Sequence, residues 1–371
     1  MKRFAICALL SMASVLLRAQ AAADVFPGAG WESIERPESV GFSAARLDAA
    51  RAWTATLDTT ALVVLVGGRT LLTYGDPAHV SYLASGRKSV LSLLYGRYVE
   101  NGTIGLSRTL EDLDLTDVGG LLPIEQGATV DHLLMARSGV YHRASNGGDD
   151  LAHAPPRGSV SPGSRYLYNN WDFNAAGAVF ERLTGRDIYD ALEADLAGPL
   201  GMQDFDRRRQ VKNGDAAASR IQAYPIWLST RDMARVGLLA LRGGRWRGRQ
   251  VVPADWIRRT TTLVSPWAEM DQTFEDSPPT AGRWGYGRLW WVWDAADQSD
   301  PLAGAFTAWG VGGQYITVVP KLDMVVAHKT DVGVPPGGPA FSQRSAAANG
   351  RAVTARQYDV LLHMLVAAKN R

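Results

Sequence analysis

The chain has 371 residues, 46% hydrophobic and 20% charged, an ordinary globular composition with ample material for a core. Its 39 basic and 37 acidic side chains give a formal charge of +2, which excludes the strongly basic surface a nucleic-acid partner needs. The single cysteine, Cys7, excludes a disulfide framework and a cysteine metal cluster.

Residues 1–23 read as a segment apart. Lys2 and Arg3 precede an apolar run from Phe4 to Leu17, and small residues follow at Ala21, Ala22 and Ala23. This is the layout of a cleavable secretory signal. Cleavage after Ala23 removes Lys2, Arg3 and Arg18, so the formal +2 becomes −1, and Cys7 leaves too. The mature chain, 24–371, is then expected in the periplasm or medium, with no thiol. No other stretch is apolar over the ~18 residues that a membrane-spanning helix needs, so no stable membrane insertion is expected.

In chain order, "TALVVLVGGRTLLTYGD" (60–76) is two apolar runs around Gly67-Gly68, a hairpin signal. A helix follows over 85–101, with Leu91, Leu94, Tyr95 and Val99 at helical spacing and Gly102 as its stop. Further helices are predicted in "TVDHLLMARSG", ending at Gly139, in "NAAGAVFERLTG" and in "DIYDALEADLAGPLGM". Residues 142–165 are too rich in Gly, Pro and Ser for an element, and a loop that long in a compact domain is functional or disordered. A serine-capped helix is predicted over 229–244. Strands return in "WGYGRLWWVWD", "GQYITVVP" and "DMVVAHKT", with "PKLD" as a turn, a second long loop at 265–283 and a closing helix at 353–369. Strands, then helices, then strands imply an α+β fold: one antiparallel sheet flanked by helices, with a helical insertion. The sheet and its helices take about 24–105 and 223–371, and the helical part about 106–222.

Several chemistries lack their signatures. There is no G-x-S-x-G and no H-E-x-x-H, and the six histidines show no metal spacing. Three short motifs remain. Ser85 and Lys88 form S-x-x-K, and on a helix i and i+3 share a face. A buried lysine of lowered pKa can take the proton of a serine nucleophile, and a helix N-terminus favours a developing oxyanion. The same four residues also arise as a plain helix cap. Tyr168-Asn169-Asn170 is Y-x-N, a phenol that can shuttle protons beside an amide, or simply a turn before a helix. "AWGVGGQ" (308–314) puts glycines ahead of a strand, where a ligand can approach the backbone and an N–H can join that of Ser85 in an oxyanion hole, or where the strand is merely bulged.

The three motifs occur in order, with "ENGTIGLSRTLEDL", "DHLLMARSGV", "LTGRDIYDALEADLAGPLGM" and "STRDMARVGLLALRGGRWRGRQVVPADWI" between and after them. From about residue 35 to the C-terminus the chain resembles the serine β-lactamase and penicillin-binding-protein superfamily. Within it, it is most similar to the class C-like branch of esterases and 6-aminohexanoate-oligomer hydrolases. The resemblance implies that fold, with a sheet of five or more strands. It implies Ser85 as the acylated nucleophile, Lys88 as its activating partner and Tyr168 as general base and acid, with Tyr166 as the alternative tyrosine. It leaves open whether Lys88 or Tyr168 is the acylation base. Alignment on Gly312-Gly313 puts Val311 at the oxyanion-hole position beside Ser85, with Asn170, Trp309, Gly310 and Gly312 lining the substrate. No metal or other cofactor is implied.

One departure bears on substrate. Penicillin-recognising members usually carry Lys-Thr-Gly or a His-containing variant where this chain has Ala308-Trp309-Gly310. A cation there holds the substrate carboxylate, and only Arg87 or Arg165 offers a replacement. The expectation is a hydrolase of small esters or simple amides. The alternatives are a β-lactamase or D,D-peptidase, and a binding or sensor protein that has lost turnover.

Overall fold

The computed structural model describes residues 24–270, 282–338 and 350–370. The signal-like segment and most of the loop at 265–283 lie outside the described residues. Among the described residues there are eleven strands: β1 (Ala61–Val66), β2 (Arg69–Gly75), β3 (Val80–Tyr82), β4 (Trp227–Ser229), β5 (Arg245–Trp246), β6 (Arg249–Gln250), β7 (Trp284–Tyr286), β8 (Trp291–Trp293), β9 (Phe306–Gly310), β10 (Gln314–Val319) and β11 (Met324–Lys329). Seven of them form one antiparallel sheet in the order β2-β1-β11-β10-β9-β8-β7. The fold is α+β, with the single antiparallel sheet flanked by helices that the sequence implies.

The strand sequences account for this order. Central β1 is a continuous apolar run, β10 and β11 are apolar or β-branched apart from Gln314, His328 and Lys329, and all three are buried along their whole length. Edge strand β2 has mixed burial. Gly67 and Gly68 both take positive φ, as a two-residue hairpin turn requires. The expected turn between β10 and β11 is a 3₁₀ turn, Pro320–Leu322, closed by Asp323 at φ 49°.

Helices cover both faces. The helix Thr230–Leu241, capped by Ser229, lies on one face so closely that a Cβ on Gly237 would stand 2.5 Å from Val325 Cγ1. On the other, the helix Ala355–Ala367 brings Tyr358 onto Tyr315, with ring centroids 3.6 Å apart and nearly parallel, and packs beside the helix Ala44–Ala55. Among the described residues no strand lies between Tyr82 and Trp227.

The helix that matters most is Arg87–Glu100. It is buried on nearly every side, as a core helix rather than an amphipathic surface one. Tyr95 donates to Ala176 O (2.5 Å) in the neighbouring helix Asn170–Thr184, and Trp256 Nε1 donates to Ser92 O (2.7 Å). Two expectations change. The helix proper begins at Arg87, and Ser85 stands just ahead of it in a 3₁₀ turn, Ala84–Gly86. The helix predicted to reach Gly139 stops at Leu134, because Ala136 takes φ 55° and Ser138 turns its hydroxyl to Asp172 (2.5 Å).

Candidate active site

The site is built from four stretches of backbone. Strand β3 pairs with β4, and Leu83 N donates to Ile226 O (2.8 Å), which delivers the chain to the 3₁₀ turn. Ala84 then takes φ 50°, a conformation rare for a residue with a Cβ. That kink presents Ser85, half-buried and reachable, while Lys88 one turn on is sealed with only 2% of its surface exposed. Tyr168 arrives from the segment before the helix Asn170–Thr184, whose first turn is capped by the Asn169 side chain on Trp171 N.

These three side chains meet. Lys88 Nζ lies 3.0 Å from Ser85 Oγ and 2.5 Å from Tyr168 OH. It also sits 4.1 Å from the centroid of the Tyr168 ring and 4.2 Å from that of Phe173. Burial is the main force on its charge and pulls the amine well below the usual lysine range. The Arg87 guanidinium pulls the same way, against Asp149 and Asp150. Burial pushes the Tyr168 phenol above its ordinary value. Both shifts favour a neutral amine beside a neutral phenol.

The fourth stretch is the β9–β10 hairpin. Gly310, at the end of β9, is pressed on the nucleophile turn: a Cβ there would stand 2.4 Å from Leu83 O and 3.1 Å from Ala84 Cβ. The residues Val311–Gly313 form the turn, with Gly312 and Gly313 at φ 80° and 107°. Neither Ser85 N–H nor Val311 N–H donates to a backbone carbonyl among the described residues. The turn is tied down behind by Val353 N on Gly312 O (3.3 Å) and by His328 Nδ1 on Gly313 O (2.8 Å).

The other expected positions have these surroundings. Asn170 lies at the start of its helix. Its Nδ2 donates to Gly147 O (2.8 Å), and its buried Oδ1 has no partner among the described residues. Trp309 is largely buried between Trp291 and Tyr315. Tyr166 is buried against Tyr286, away from the Lys88–Ser85 contact. As for the two candidate anchors, Arg87 is buried against Tyr224 and Asn174, and Arg165 is exposed.

Sequence reasoning missed two groups. Trp291 on β8 stacks on the Tyr168 ring, centroids 5.6 Å apart, yet its "WW" context signalled only a strand. Asp149 and Asp150 come from the polar loop at 142–165. Asp149 Oδ2 accepts from Asn170 N (3.1 Å), and Asp150 N donates to Tyr168 O (2.9 Å). The loop is thus fastened to the segment that carries Tyr168, and "GGDD" was the only visible sign of it.

Comparison with known proteins bears on the family and the fold. The beta-lactamase family model matches residues 46–340. The 6-aminohexanoate-dimer hydrolase of Paenarthrobacter ureafaciens is 28% identical over 148 residues, 40% of this chain, and the alignment spans 34% of that enzyme. Among solved structures, a penicillin-binding protein homolog from Caulobacter crescentus superposes with a TM-score of 0.57 at 15% identity, covering 88% of this chain and 99% of the other. EstCE1, a hydrolase with promiscuous acyltransferase activity, superposes with a TM-score of 0.55 at 16% identity, covering 87% and 99%. At these identities the structural likenesses speak for the fold. With the family model spanning most of its length, the chain belongs to the beta-lactamase family of serine hydrolases.

Proposed function

We propose that this chain is an exported serine hydrolase that cleaves small esters or simple amides through an acyl-enzyme on Ser85. The observation that carries the reading is the contact of Lys88 Nζ with both Ser85 Oγ and Tyr168 OH in a buried setting. A neutral amine at 3.0 Å is a proton acceptor for the serine hydroxyl, so Lys88 is the acylation base. Ser85 Oγ attacks the substrate carbonyl, and its proton passes to Lys88 Nζ. The tetrahedral oxyanion rests on the N–H groups of Ser85 and Val311. Tyr168 hands its proton to the departing alcohol or amine as the C–O or C–N bond breaks, and the ammonium of Lys88 reprotonates it. Water then attacks the acyl-enzyme along the same path, giving the carboxylic acid and free Ser85.

The substrate class follows from what surrounds this path. Ala308-Trp309-Gly310 offers no cation, Arg87 is buried away from it and Arg165 lies exposed, so no anchor for a penicillin-type carboxylate supports the β-lactamase or D,D-peptidase reading. Trp291 and Trp309 instead supply an aromatic wall beside Tyr168, suited to a neutral acyl or leaving group. The local likeness to a 6-aminohexanoate-dimer hydrolase favours linear amides among the candidates. Export rests on the segment 1–23, and the expected outcome is that mature protein recovered from the periplasm begins at Asp24.

The test is intact-mass spectrometry after exposure to a fluorophosphonate, with Ser85→Ala in parallel. One adduct on the wild type and none on the variant supports the reading. An adduct that persists on Ser85→Ala overturns it. A panel of p-nitrophenyl esters, linear amides and benzylpenicillin then ranks substrates, with penicillin expected last.

A further inference from the structure

Tyr168 must meet Lys88 and a departing group at once, yet residues 154–169, which carry it, belong to no helix or strand. Such a run holds a side chain only as well as its fastenings allow. Arg137 makes several of them. Its Nε donates to Gly163 O (3.0 Å) and its Nη2 to Ser164 O (3.2 Å). Its Nη1 donates to Ser265 Oγ (2.6 Å) and to Glu269 Oε2 (2.7 Å). Main-chain bonds run beside this fork: Gly163 N donates to Arg137 O (2.7 Å), and Leu167 N to Ala136 O (3.0 Å). Ala136 takes φ 55° to lead into Arg137, a strained conformation that persists only where its surroundings impose it.

The two segments that the guanidinium joins both end at Tyr168. Gly163 and Ser164 lie four and five positions before it on the backbone. Ser265 exchanges main-chain hydrogen bonds with Tyr286 (2.9 and 2.8 Å), and the Tyr286 ring meets the Tyr168 ring edge-on, centroids 6.2 Å apart. The Arg137 side chain is only 13% exposed, so water competes little for its bonds.

We propose that Arg137 is a positioning residue for Tyr168: its fork fixes both the backbone that carries the phenol and the segment that backs its ring, and so aims the phenol at the leaving group. The inference rests on the serine-hydrolase reading above and deepens it. Arg137 acts only through the chain that it holds. A planar, always charged fork suits the task, because one side chain reaches four oxygens, two on each segment. A lysine would keep the charge and lose the span.

A loosened Tyr168 should do most harm where its proton is needed most. An alkoxide leaves poorly without a proton, whereas p-nitrophenolate leaves readily. The test measures kcat/KM, which reports acylation, for a p-nitrophenyl ester and an ethyl ester of the same acid. Wild type is compared with Arg137→Gln, Arg137→Lys and, as the benchmark, Tyr168→Phe. Rates are divided by the amount of Ser85 that a fluorophosphonate labels at completion, so misfolded molecules drop out. Tyr168→Phe should raise the aryl-to-alkyl ratio of rates. Arg137→Gln should raise it by about tenfold, and Arg137→Lys should follow. If Arg137→Gln fails to fold, Arg137→Lys decides by the same ratio. A wild-type ratio in the Arg137 variants, with both esters slowed alike, overturns the proposal and leaves Arg137 a structural tie. A wild-type ratio in Tyr168→Phe overturns Tyr168 as the leaving-group acid, and this inference with it. A wild type that takes no fluorophosphonate overturns the serine-hydrolase reading itself.

Discussion

Gly310→Ala should disable the site while leaving the fold nearly intact. In the native structure the new methyl would stand 2.4 Å from Leu83 O, 2.9 Å from Gln314 Cβ and 3.1 Å from Ala84 Cβ. Real Cβ atoms do not approach backbone oxygen so closely, and none of the three atoms is the free end of a flexible side chain. The β9–β10 hairpin must therefore back away from the nucleophile turn by about 1 Å. A misplacement of about 1 Å costs on the order of 10²-fold in rate, or about 2.7 kcal/mol of transition-state stabilisation. That is also the scale of losing one oxyanion donor, which is what retreat of the Val311 N–H amounts to. The assay is the second-order rate of fluorophosphonate labelling, set beside the melting temperature. Gly30→Ala, where nothing lies within 4 Å of the new methyl, is the control. A folded Gly310→Ala that labels within twofold of wild type would falsify the claim that this contact sets the oxyanion geometry.

Tyr168→Phe should lower ester turnover by about 10²–10⁴-fold, measured as steady-state kcat, because it removes a positioned proton carrier. Lys329 is fully buried on β11, with Met233 Sδ at 3.7 Å, and burial pulls its amine down to about 7. Its folded pKa is below the unfolded value, so it costs stability as pH falls from about 10.5 towards 7, and below that the cost is constant. Lys329→Met should therefore be the more stable protein at pH 6, by on the order of 5 kcal/mol at most, with the gap closing as pH rises. Denaturant midpoints at pH 6 and pH 10 check this, and a gap independent of pH refutes it. His328 is held at about 4 by burial, so its contribution is present above pH 6.5 and lost as pH falls to 4. His328→Gln should flatten the pH dependence of unfolding in that window, and an unchanged slope would count against it.

Much of this was legible because local rules and the fold agree. Gly67-Gly68 between apolar runs makes the β1–β2 hairpin, Ser229 caps its helix, and Gly185 closes another at φ 66°. The S-x-x-K spacing does bring Lys88 to Ser85, although the pair bridges a 3₁₀ turn and the helix start rather than lying on one regular helix. What escaped notice depends on partners far away in sequence. The helix after Thr129 ends early because Ser138 and Arg137 are claimed by Asp172 and by Glu269. Trp291 reaches Tyr168 across 123 positions, and no periodicity announces such a stack. The kink at Ala84 lies against Gly310, a contact between distant segments, and an alanine gives no hint of positive φ.

The burial of Lys88 also makes reactivity conditional. In an unfolded chain that amine returns to water, regains its ordinary pKa and is an ammonium at neutral pH. On the proposed mechanism Ser85 then has no base, and Tyr168, 83 positions away, is no neighbour. A nascent chain therefore cannot acylate itself or other proteins. Nucleophile strength appears together with the core, in the same cooperative step, and is extinguished whenever the helix Arg87–Glu100 loses its surroundings. Labelling at Ser85 is thus a count of correctly assembled molecules, and its decay on heating should track loss of the core around Lys88 rather than fraying at the surface.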